Sequence, residues 1–174
     1  MKFSLEHSLE ILERTPGSLN ALLAGISPEW TNTPENANSW DVKTVIAHLV
    51  QCDLTLWMRR LNIILSDLPE RKFTPNDPAF FSEIVQGKSC DELLTLFQKV
   101  RSENLSVLRQ FYLDESHYDK TAIHPEFGEV KLSQLLSTWT AHDLSHLAQV
   151  SRILAKQYTE NVGPWIAYLR ILKA

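Results

Sequence analysis

Apolar residues recur at helical spacing along most of the chain, and polar or proline-rich stretches divide them into four long segments. Phe3, Leu9, Ile11, Leu12, Leu19, Leu22 and Leu23 trace a first helix, roughly Ser4 to Gly25. Pro16 and Gly17 fall inside it; proline removes a backbone donor and crowds the preceding turn, so one kinked helix is expected. The polar stretch SPEWTNTPENANSW follows, and Ser39 or Asp41 is placed to cap a second helix from about Val42 to Ser66. The segment DLPERKFTPNDPAFFSEIVQGK reads as a long linker with at most a short turn of helix at PAFFSEIV. Ser89 and Glu92 have the spacing of a capping box, after which Leu93, Leu94, Phe97, Val100, Leu108 and Phe111 carry a third helix to about Leu113. A second irregular stretch, DESHYDKTAIHPEFGEVK, leads to a fourth helix near Leu132 to Tyr158. Beyond Gly163 and Pro164, the apolar tail WIAYLRILK is expected to form a short final helix against the others.

Four long helices with one apolar face each are most simply buried as an all-α four-helix bundle. The linker of ~20 residues, extended at ~3.3 Å per residue, is long enough to travel the length of a ~35 Å helix, so helices two and three can run parallel through a crossover. At 174 residues, one domain spanning 1–174 can bury a sizeable core without help from disulfides.

Composition narrows the class. Hydrophobic residues make up 44% and charged residues 22%, which points to a globular chain rather than a disordered or membrane one. Acids outnumber bases by 21 to 17, and no dense basic run with interleaved aromatics occurs, so nucleic acid is not an expected partner. The start, MKFSLEHSLEILERT, is charged throughout, and no stretch approaches the ~20 apolar residues of a membrane span, so no membrane association and a cytoplasmic location are expected. Cys52 and Cys90 show no CxxC spacing, which argues against a disulfide framework and against a cysteine-rich zinc site.

The chemistry concentrates in histidines. In LSTWTAHDLSHLAQVSRIL, His142 and His146 stand four apart on the stripe that also carries Leu135, Trp139, Val150 and Ile153, so both rings can reach one point. In WDVKTVIAHLVQCDLTLW, His48 shares a face with Val45 and Cys52. Two readings stand: neutral, hydrogen-bonded core histidines, or three ligands converging from facing helices on one metal. Three imidazoles would leave a fourth position open for water. Position 143 is Asp143 rather than the glutamate of HExxH, so a metalloprotease is excluded.

Neighbouring residues fill in the surroundings. Cys52, one turn past His48, is expected as a small buried hydrophobe close to the metal rather than as a ligand. Asp53 and Asp143 turn away from the adjacent ligands and are expected in solvent or in an interhelical salt bridge. His124, in the loop AIHPEFGEV, is a candidate for the mouth of the site, and Trp57, Trp139 and Trp165 are candidates for its aromatic wall or for core packing. Arg59 and Arg60 are placed to attract an anionic substrate, with a solvated helix face as the plainer expectation, and His7 and His117 have polar, solvent-facing surroundings.

The phrases SWDVKTVIAHLVQCD and KLSQLLSTWTAHDLSHLAQVSRIL together resemble the DinB family, or DinB/YfiT-like superfamily, whose hallmark is one histidine near the start of helix two and an HxxxH pair on a later helix. ILERTPGSLNALLAGISPEW is similar to the family's first helix, and HPEFGEVKLSQLL and VGPW resemble stretches of one subgroup. The resemblance implies a bundle with crossover connections, often a homodimer, holding one divalent metal ion, nickel or zinc, on His48, His142 and His146. It also implies the activities found in that family: metal-dependent hydrolases, and S-transferases that take a low-molecular-weight thiol cosubstrate. The expectation is therefore a metal-dependent enzyme acting on a small-molecule electrophile, with a detoxification or stress role. Its rival is a non-catalytic, metal-binding or stress-associated dimeric protein.

Overall fold

Several helices begin where the sequence supplies a side-chain cap. In the computed structural model, which describes residues 2–75, 83, 84 and 86–173, Ser4 accepts from the His7 backbone N–H and starts α1 (Leu5–Leu23). This helix continues through Pro16, which lies inside it and is buried. A short α2 (Pro28–Asn32) follows. Of the two candidate caps for the next helix it is Asp41 that acts, accepting from the Thr44 N–H at 2.7 Å. The expected helix from Val42 to Ser66 is two helices, α3 (Val42–Thr55) and α4 (Trp57–Leu65), because Leu56 between them leaves ideal helical geometry at φ −109° and ψ −67°.

The Ser89–Glu92 capping box is formed, and α5 runs Cys90–Gln110. The expected helical turn at PAFFSEIV falls largely outside the described residues. The second irregular stretch is more ordered than its composition suggested. It holds α6 (Glu115–Tyr118) and an antiparallel hairpin of β1 (Thr121–His124) and β2 (Gly128–Lys131), in which Thr121 pairs with Lys131 and His124 with Gly128. Gly128, at φ +70°, provides the left-handed residue of this turn. The segment after α4 extends the hairpin: the Phe73 N–H donates to the Ile123 carbonyl, and the Ile123 N–H donates to the Arg71 carbonyl. Four-residue strands carry too little alternation to be read from sequence. The last long helix, α7, spans Leu132–Lys156, and the apolar tail forms the expected short C-terminal helix as two 3-10 segments, Gly163–Ala167 and Arg170–Leu172.

Two buried clusters show how the helices run. Leu23, Val42, Leu93 and Ile153 meet at one end of the bundle, whereas Leu12, Cys52, Leu105 and Leu136 meet at the other. Hence α1 and α7 run one way, α3 and α5 the other. Parallel α3 and α5 require the chain between Ser66 and Ser89 to return along the bundle, the crossover expected from its length. Burying one such leucine or phenylalanine contributes about 1.5–3 kcal/mol, so the two clusters are the main source of stability. No helix among the described residues is long and apolar enough to cross a membrane.

Candidate metal centre

The site sits where α3 faces α7. The α7 stripe is buried as its spacing implied: Trp139, Val150 and Ile153 are almost wholly enclosed, and this packing points His142 and His146 inward. On α3, Val45 and Leu49 are buried on either side of His48 and aim its ring at the same place. The three side chains are half-buried, and one ligand atom from each lies within 4.8 Å of the others. His142 Nε2 is 3.1 Å from His48 Nε2 and 3.1 Å from His146 Nε2.

Burial holds these imidazoles neutral. It lowers His48 to a pKa of about 4, with the neighbouring His146 adding to the effect. His142 is lowered to about 3, again first by burial and then by His146, His48 and Arg101. Burial lowers His146 too, although its bond to Gln149 and the nearby Asp143 act in the opposite direction. Neutral rings have lone pairs to offer. The Gln149 carboxamide oxygen lies 2.7 Å from His146 Nδ1; with the proton there, the Nε2 lone pair faces the other two rings.

The proton count of the three rings fits a cation between them. One N–H on His142 Nε2 cannot satisfy acceptors on both sides at 3.1 Å, whereas a cation among the three nitrogens takes a lone pair from each. His142 Nδ1 is buried and has no partner among the described residues, so no neighbour dictates the tautomer of that ring. The donor set suits a divalent first-row metal ion, for which imidazole is a good ligand.

Aromatic rings enclose the cluster. Trp40 lies 4.9 Å from the His48 ring and stacks at 17° on His146 at 6.4 Å, while Trp57 meets His142 edge-on at 5.2 Å. Behind Trp57, Trp139 stacks on it at 5.6 Å. Cys52 is buried with its Sγ 3.6 Å from His48 Nε2; burial, then Asp53 and Asp143, push the thiol up to about 12, so it stays protonated.

Immediately behind the histidines is a polar knot. Asp53 and Asp143, one candidate position for which was solvent, are both buried against Arg101 of α5. Every N–H of this guanidinium is used: Nε and one Nη2 proton go to Asp53, both terminal nitrogens also reach Asp143, and Nη1 donates to the Leu12 carbonyl at 2.9 Å. Leu12 is four residues before Pro16, whose missing N–H leaves that carbonyl free of a helical partner. The guanidinium is also flanked by the Phe97 and Trp139 rings, at 4.8 and 5.2 Å. Burial pushes Asp53 up to about 6 against the pull of Arg101. For Arg101 the cost of burial is outweighed by the two carboxylates, which hold it charged.

Other sequence candidates lie elsewhere. His124 ends β1, stacks on Phe127 and does not join the triad. Trp165 is 68% exposed and walls no part of the site. Arg59 is exposed and binds the Thr74 carbonyl, but Arg60, also expected on a solvated face, is half-buried over the Phe73 ring. His7 is exposed, as its polar neighbours implied, and His117 is partly buried on Asp114. Sequence reasoning missed Arg101, Trp40 and Gln149. Arg101 did leave a signal: it occupies a stripe position of α5 otherwise filled by Leu94, Phe97, Leu105 and Leu108.

A family model for the DinB superfamily matches residues 11–150, and the chain belongs to that superfamily. It is 22% identical over 148 residues to a Bacillus subtilis protein named "Putative metal-dependent hydrolase YfiT", covering 83% of this chain and 81% of that one. A Bacillus cereus protein, also named "Putative metal-dependent hydrolase", is 22% identical over 146 residues, 83% of this chain and 82% of its own length. The fold resembles the solved structure of Bacillus subtilis YfiT, described as having an unusual four-helix bundle topology, with a TM-score of 0.73, 19% identity and coverage of 88% and 87% of the two chains. A second four-helix bundle protein, TT2238, matches with a TM-score of 0.55 at 21% identity, over 85% of this chain and 98% of the other.

Proposed function

We propose that His48, His142 and His146 hold one divalent metal ion, nickel or zinc, and that this member of the DinB superfamily is a metal-dependent hydrolase of a small electrophilic substrate. The observation that carries this is the convergence of three neutral imidazoles, with His142 Nε2 3.1 Å from the Nε2 atoms of both His48 and His146. The names of its relatives support the hydrolytic reaction class.

Bound there, a divalent ion supplies Lewis acidity toward a nucleophile and an electrophilic carbonyl. The chain's own residues orient and enclose. Gln149 holds His146 in the tautomer that presents Nε2, and the Trp40 and Trp57 rings narrow the approach and limit water around the histidines. All four carboxylate oxygens of Asp53 and Asp143 accept from Arg101, so both aspartates are turned to the guanidinium rather than to a substrate. Cys52, protonated and buried, does not serve as the nucleophile; in an S-transferase variant of this reading the thiol would come from a separate cosubstrate.

Metal analysis of the purified protein and of His48→Ala, followed by hydrolysis of activated esters and amides with and without a small thiol, tests the proposal. Expected are stoichiometric nickel or zinc in the parent protein, little in the variant, and metal-dependent turnover that needs no thiol. Equal metal contents in both proteins overturn the metal site. Turnover only with thiol replaces hydrolase by S-transferase, and metal without turnover favours the non-catalytic alternative.

A further inference from the structure

A second concavity opens one helical turn from the triad. It lies between α4, the hairpin and α7, encloses about 260 Å³, and is lined by Trp57, Arg60, Phe73, His124, Gln134 and Thr138 among others. Trp57 belongs to both places: it closes this cavity and meets His142 edge-on. Thr138 is four residues before His142 on α7, about 6 Å along the helix axis. The volume is a little under the ~300–1,000 Å³ of drug-sized pockets, which suits a small monocyclic molecule.

The charged and imidazole groups of this cavity are donors, while the Thr138 hydroxyl gives its proton to the Gln134 carbonyl. Arg60 has no carboxylate partner among the described residues; its guanidinium lies over the Phe73 ring, and its Nε is buried with no acceptor. The Trp57 side chain is almost fully enclosed, and its indole N–H is also without an acceptor. His124 Nδ1 accepts from the backbone N–H groups of Glu126 and Phe127, which places its proton on Nε2 and makes that nitrogen a donor. Buried donors left without acceptors are costly and uncommon. A guanidinium cation and an imidazole N–H around one apolar cavity are complementary to an anion carried on a flat apolar body.

We infer that this cavity binds the carboxylate of a small aromatic or otherwise planar organic acid, with Arg60 as the charge partner. Carboxylate binding stands on the cavity alone. The further role, holding the acid end of a substrate whose reacting bond reaches the triad, rests on the hydrolase reading above.

Benzoate, benzamide and inorganic phosphate are titrated into the full-length protein in the presence of EDTA, with binding followed by ligand-observed NMR. Chelation keeps the result independent of the metal proposal, since a failed triad leaves this measurement untouched. Expected is saturable benzoate binding, about tenfold or more tighter than benzamide, weakened about tenfold or more in Arg60→Gln and nearly unchanged in Arg59→Gln. Arg60→Lys, which keeps the charge but loses the planar fork of donors, is expected to weaken benzoate severalfold and serves if Arg60→Gln does not fold. Equal affinity for benzoate and benzamide, binding of phosphate but not benzoate, or equal losses in the two arginine variants would overturn the assignment.

Discussion

Two polar clusters lie side by side in the middle of this bundle, built from nearly the same stretches of chain and opposite in character. Asp53 and Asp143 meet Arg101, whereas His48 and His142 meet His146; on α7 the two clusters begin at adjacent residues. In the first, every guanidinium N–H and every carboxylate oxygen has a partner. In the second, three neutral rings crowd their lone pairs together, and His142 Nδ1 is buried with none. The lesson is that burial of polar groups serves two ends. A self-satisfied cluster ties helices together, and a cluster short of one positive charge is prepared for something from outside.

The comparison can be broken most forcefully at Arg101. Arg101→Met leaves two buried carboxylates unpaired and the Leu12 carbonyl without a donor, a loss of about 3–5 kcal/mol expected in urea unfolding. Replacing Asp53 and Asp143 by leucine in the same chain should recover much of that loss. If Arg101→Met alone unfolds within about 1 kcal/mol of the parent, the knot does not hold the helices together.

The histidines should respond in the opposite manner. His48→Ala is expected to abolish metal retention while leaving the chelated protein nearly as stable as the parent; a large drop in the melting temperature of the chelated form would make His48 a structural residue instead.

Acidity distinguishes the clusters by sign. His48 and His142 titrate at about 4 and about 3 in the folded chain, below the ordinary 6.5, so the unfolded chain takes up protons first and stability falls as the pH drops from 6.5 toward 4. Asp53, raised from 3.8 to about 6, works the other way: its contribution is complete below 3.8 and is lost as the pH rises through 6. Urea midpoints of chelated protein from pH 4 to 7 should therefore rise with pH, and a His48→Gln, His142→Gln double variant should flatten or reverse the slope. An unaltered slope in that variant would remove the histidines from the account.

The smallest expected effect is at Gln149. Gln149→Ala releases the His146 tautomer without removing a ligand, and metal affinity should fall about 10- to 100-fold with little change in folding. A loss as complete as that of His48→Ala would show that Gln149 does more than orient the ring.

Much of this arrangement is legible in the chain. Periodic apolar positions delimit the long helices because a helix must bury one face, and the same stripe turns His142 and His146 inward at a spacing that lets both rings meet. The length of the linker after α4 anticipates the parallel pair. The break at Leu56 has no proline or glycine to announce it, and the hairpin strands are too short to show alternation. Asp53 and Asp143 were visible as neighbours of the ligands, but their partner sits on α5, about fifty residues from one and forty from the other, with only its place in an apolar stripe to mark it.

By itself, then, the sequence determined the helices, the inward pair on α7 and the candidate third ligand on α3, because these follow from local periodicity along a backbone of fixed pitch. Tertiary structure alone decided that the three Nε2 atoms approach to within hydrogen-bonding distance, that Arg101 takes up both aspartates, and that Trp40, Gln149 and Arg60 face the places they do. Those outcomes depend on the axial offset and rotation of whole helices. Both are set by the summed packing of many side chains, and no short stretch of sequence records them.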